Sequence, residues 1–139
     1  MASVKHADPQ ILLFQNSVER NDTLARWSIG WSVQNLGADP IRILAVRLPH
    51  GQFKSEELGF DPPIDLAPGE GRQFSTLVRC DEPSGLVTEN AFVILHATWR
   101  GEPWRIFVRL RIVVNEKGEP NATTELITTQ VVGFTGVKF

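Results

Sequence analysis

The stretch from Trp104 to Val114 reads Trp-Arg-Ile-Phe-Val-Arg-Leu-Arg-Ile-Val-Val. Trp104, Ile106, Val108, Leu110, Ile112 and Val114 occupy every second position, and Arg105, Phe107, Arg109, Arg111 and Val113 fall between them. Successive side chains of a strand point to opposite faces, so this period of two predicts a long strand with one wholly apolar face. The same reading extends upstream. Ala91, Val93, Leu95, Ala97 and Trp99 share one face of a second run, and Arg100-Gly-Glu-Pro103 links the two as a hairpin. Trp27, Ile29, Trp31 and Val33 alternate with Ser28, Gly30, Ser32 and Gln34 in a third.

Further strands are predicted over Ile11–Asn16, Ile41–Leu48, Arg72–Cys80 and Thr123–Val132. Arg42 and Arg47 fall on opposite faces of the Ile41–Leu48 run, which breaks its alternation. Leu66-Ala-Pro-Gly-Glu70 places Pro and Gly as a type II turn requires. The stretch from Pro49 to Gly71 reads as a long loop, holding a short strand near Gln52–Lys54 or one helical turn near Ser55–Leu58. No window carries an amphipathic-helix pattern longer than about two turns. The fold class expected is all-β: an antiparallel β-sandwich of about seven strands in two packed sheets. One domain is expected over residues 1–139, with residues 1–9 as a flexible tail.

Some turns resemble those of bacterial immunoglobulin-like modules such as the cell-adhesion-related bacterial domain. The resembling features are Asn35-Leu-Gly37 at a strand end, Pro40-Ile41 opening the next strand, and Leu66-Ala-Pro-Gly-Glu70 before another. The resemblance implies an immunoglobulin-like sandwich and a binding or spacing role without catalysis.

Composition narrows the function classes. The chain has 139 residues, 42% hydrophobic and 22% charged, as in a globular domain. A net charge of −2 argues against a nucleic-acid partner. The N-terminus has no apolar signal core, and no run approaches the ~20 residues of a membrane helix. A cytoplasmic location and no membrane contact are therefore expected. The single cysteine, Cys80, excludes an internal disulfide and a multi-cysteine zinc site.

Candidate chemistry is sparse. His6, His50 and His96 share no metal-ligand spacing. Cys80 lies in Val78-Arg-Cys-Asp81, without a thiol-enzyme signature, and its strand phase places it near the core. Neither a phosphate-cradling glycine loop nor a serine nucleophile elbow is present. No enzyme activity, cofactor or metal is expected. Trp27, Trp31, Trp99 and Trp104 fall on inward faces, Trp104 being the best candidate for an exposed ring.

The outward face of the last hairpin is the most suggestive feature. Arg105, Phe107, Arg109 and Arg111 share one side of a strand, and the paired strand adds Phe92, Ile94 and His96. Arginine beside aromatics is typical of binding hot spots. These residues, Ile94 excepted, form the expected contact for a protein partner or a second copy of the chain. The segment from Gly51 to Gly71 carries five acids against Lys54. Its acids could serve head-to-tail association or fold over the arginines of the same chain. The alternative function is a sandwich that binds carbohydrate or calcium through this 51–71 segment or an exposed tryptophan.

Overall fold

The computed structural model describes residues 7–21 and 25–132. Eight strands run in chain order: β1 (Ile11–Arg20), β2 (Arg26–Asn35), β3 (Ile41–His50), β4 (Phe53–Leu66), β5 (Gly71–Arg79), β6 (Val87–Trp99), β7 (Glu102–Val114) and β8 (Pro120–Val131). All pairings are antiparallel and join the strands into one sheet, in the order β1-β2-β5-β4-β3-β6-β7-β8.

This arrangement corrects the expected immunoglobulin-like sandwich of about seven strands in two packed sheets. The sheet is single and curls until β1 and β8 approach each other, giving a nearly closed barrel. A strand with one buried face alternates identically in a sandwich and in a barrel, so periodicity alone does not separate them. The strand that decides is β4. Its Gly59, Pro62 and Pro63 and its acids read as loop, yet it bridges β3 and β5. Phe53 and Leu66 anchor its two ends in the core.

β4 follows β3 irregularly. Val46 pairs with Leu58 and Leu48 with Ser55, so Glu56 and Glu57 both lie opposite Arg47. The extra residue is a β-bulge, which bends a strand and re-aims its side chains. β3 has its own bulge: Ile43 pairs with Ala97, but Ala45 pairs with His96. Leu44 is thus inserted, and Arg42 and Arg47, read as opposite in phase, both emerge on the outer face.

The alternations of β2, β6 and β7 fill the interior. Ile29, Trp31, Val93, Leu95, Ile106, Val108 and Leu110 are all fully buried there. Trp31 donates its indole N–H to Thr76 Oγ1 at 3.0 Å, and Trp27 donates to the Cys80 carbonyl at 3.0 Å. Satisfying these donors lets large rings enter the core without an orphaned polar group. The β6–β7 hairpin turns on Arg100 and Gly101, both with positive φ, the backbone of a type I′ turn. Between β4 and β5, Gly69 has φ 82° and Glu70 donates its N–H to the Ala67 carbonyl, as the type II turn requires.

Asn35 ties the barrel's end together. Its buried amide donates to the Leu66 carbonyl at 3.1 Å and the Asp39 carbonyl at 2.8 Å, and its Oδ1 accepts from Gly37 N–H. Its backbone bonds both Gly69 and Glu70. One side chain therefore secures the β2–β3 connection against the β4–β5 turn. At the N-terminus, Pro9 is buried and Asp8 accepts from Thr129 Oγ1 at 2.7 Å. Residues 1–6 of the expected tail, His6 among them, lie outside the described residues.

Replacing Asn35 strips partners from buried carbonyls, and each such loss costs about 1–3 kcal/mol. Asn35→Ala is therefore expected to lower unfolding free energy by roughly 2–4 kcal/mol in urea titration. A loss below about 0.5 kcal/mol, as for an ordinary surface change, would contradict this role.

Candidate functional site

The residues singled out on the last hairpin do come together. Phe92 pairs with Arg109, Ile94 with Phe107, and His96 with Arg105 across β6 and β7. Directly paired residues share a face, so these six form one outward patch. β3 extends it, because Ala45 pairs with His96 and Arg47 with Ile94. On the far side, Leu126 of β8 pairs with Arg109 and is 47% exposed.

This outward patch is partly shielded. Ile94 is 7% exposed, Ala45 is buried, and Phe92, His96, Phe107, Arg47 and Arg109 are half-buried. The long arginine stems lie over apolar surface, as such side chains commonly do. Their burial leaves polar atoms without partners. Nε of Arg47, Nε of Arg109 and Nε2 of His96 are sealed from solvent and make no hydrogen bond. Glu57 of β4 approaches His96 Nε2 at 3.8 Å, too far for a hydrogen bond.

Other arginines contrast with these. Arg42 binds Asp65 at 2.7 Å, Arg100 binds Asp39 at 2.9 Å, Arg111 binds Glu89 at 3.1 Å, and Arg72 lies 3.5 Å from Glu70. Arg111, expected as part of the contact face, is thus engaged by its own chain. Among the described residues, Arg47, Arg105 and Arg109 have no ion pair. Arg47 escaped sequence reading because the Leu44 bulge hides its phase.

The 51–71 segment is strand and turn rather than an open loop. Four of its five acids, Glu56, Glu57, Asp61 and Asp65, lie along β4 and Glu70 in the turn that follows, and the Arg42 guanidinium holds the Asp65 carboxyl below its ordinary range through their hydrogen bond. No group of three His, Cys, Asp or Glu side chains poised to hold a metal occurs among the described residues. The tryptophans line the core. Trp104, expected to be the most open ring, is 8% exposed and meets Trp99 edge-to-face at 5.6 Å. Arg100 lies over the Trp99 ring at 4.2 Å.

No protein-family model matches the chain, and no curated protein is similar to it. Among the described residues, no helix is long and apolar enough to cross a membrane.

Cys80 is buried behind β5. Burial pushes its thiol up to about 11, with the Glu82 and Asp81 carboxylates acting in the same direction. A thiol held protonated is a poor nucleophile at neutral pH. The folded form keeps this proton while the unfolded chain, near the ordinary 9.0, releases it. The resulting stability is present below pH 9 and is lost as pH rises towards 11. Labelling at pH 7.5 by a thiol reagent is expected to follow global unfolding, and rapid labelling of the native chain would contradict this burial.

Proposed function

We propose that the chain is a non-catalytic binding module that presents the outer face of β3, β6 and β7 to an acidic surface of a protein partner or of a second copy. The observation that carries this reading is the group of three arginines, Arg47, Arg105 and Arg109, that have no ion pair among the described residues and lie beside Ile94 and Phe107. A guanidinium without an acid of its own chain can take a partner's carboxylate, and such charge-assisted hydrogen bonds are stronger than neutral ones. Arg105 adds an exposed charge at the edge, suited to steering an acidic partner into register. The apolar floor supplies area to exclude water around those contacts.

The face has the mixed character of a contact surface: aromatic and arginine residues near the centre and polar ones at the margin, including Gln130 and Thr128 of β8. We favour a protein over carbohydrate because the buried tryptophans offer no stacking platform.

An array of glutamate- and aspartate-rich peptides, probed with labelled protein, tests the reading. R105E/R109E is expected to weaken every retained interaction by at least about tenfold, as for loss of charged interface contacts. The effect is expected to shrink with added salt. Unchanged binding by the double variant would show that this face is not the contact.

A further inference from the structure

A second group of unpaired cations lies on the opposite side of β4. Arg26 of β2 pairs directly with Arg79 of β5, and Arg79 in turn pairs with Lys54 of β4. Three like charges therefore stand in a row across three strands. Like charges directly opposite one another destabilise a sheet. None of the three has an ion pair among the described residues.

The row borders a gap in the barrel wall. β4 and β5 pair only through Lys54 and Arg79. Beyond that pair the Glu56–Glu57 bulge carries β4 aside, until Phe60 and Phe74 meet edge-to-face at 5.3 Å. The slot lies between these two contacts, with Ser55–Leu58 on one side and Thr76–Arg79 on the other. It is a cleft open to solvent, with about 350 Å³ of space. That volume is in the range of small-ligand sites, roughly 300–1,000 Å³. A through-running peptide strand would be stopped by the Phe60–Phe74 contact, which favours a compact ligand.

The walls are chemically mixed. Leu58, Leu77 and Val78 supply apolar surface, and Ser55 Oγ is buried without a hydrogen-bond partner. Glu56 and Glu57 also line the slot, so its negative charge lies on β4 while its cationic end is the Arg26, Arg79 and Lys54 row.

We propose that this slot binds a small organic phosphate, its phosphoryl group held by Arg26, Arg79 and Lys54 and its apolar portion against Leu58 and Leu77. A phosphate monoester carries about −1.5 to −2 charges at pH 7 and three acceptor oxygens. It neutralises the row more fully than a single carboxylate does, and guanidinium groups match its oxygens in bidentate geometry.

The test is a calorimetric titration of the protein with phenyl phosphate, benzoate and inorganic sulfate at constant ionic strength. Phenyl phosphate is expected to bind, with benzoate and sulfate at least about tenfold weaker, given the energy of charged hydrogen bonds. R26A/R79A is expected to weaken phenyl phosphate by more than about tenfold, Ser55→Ala by less, and Arg72→Ala, which lies elsewhere, not at all. The ¹H–¹⁵N spectrum of each variant confirms that it is folded. Absence of phenyl phosphate binding to the wild type, equal binding of sulfate, or unchanged binding by folded R26A/R79A would each overturn the proposal.

Discussion

The first and last strands of the sheet meet without a backbone ladder between them. Their closure rests on side chains. Gln15 donates its amide to the Pro120 carbonyl at 3.2 Å and accepts from the Ala122 N–H at 2.7 Å, so one side chain copies the donor and acceptor of a peptide group. Thr124 Oγ1 donates to the Leu13 carbonyl at 2.6 Å, and Thr129 Oγ1 to Asp8 at 2.7 Å. An open sheet of eight strands would leave two long edges able to pair with other chains. Bringing β1 onto β8 covers them and closes the wall around the core everywhere but at the β4–β5 seam. The register shift between Gln15 and Ser17 lies at this seam, where β1 must bend.

A second seam, between β4 and β5, has a different character. One ladder pair, an aromatic contact and the Asn35 tie hold it. The same bulge that loosens it aims Glu57 at the outer face near His96. β4 therefore separates two groups of unpaired cations, one over β3, β6 and β7 and the other along β2 and β5. Each differs from the rest of the surface, where arginines mostly face acids. A protein face and a small-anion slot are distinct uses of that charge, and they share none of their cations.

Much of this structure was legible in the chain. Alternation located the inward faces of β2, β6 and β7, and the hairpin link placed Phe92, His96, Arg105, Phe107 and Arg109 together. Three features were hidden for physical reasons. Prolines and acids disguised β4 as a loop, because its pairing with β3 is interrupted and most of its side chains are exposed. A single inserted residue at Leu44 concealed Arg47. The row of Arg26, Lys54 and Arg79 depends on cross-strand register, which joins residues far apart in sequence. The closure that makes a barrel rather than a sandwich likewise depends on which strands become neighbours, a property that a period of two does not encode.

An NMR titration of ¹⁵N-labelled protein with a glutamate-rich peptide at low salt tests the β3–β6–β7 face most directly. The largest amide shifts are expected at Arg47, Ile94, Phe107 and Arg109, fading as salt is raised. Silence at Phe107 and Arg109, with shifts confined to other strands, would contradict a contact at this face.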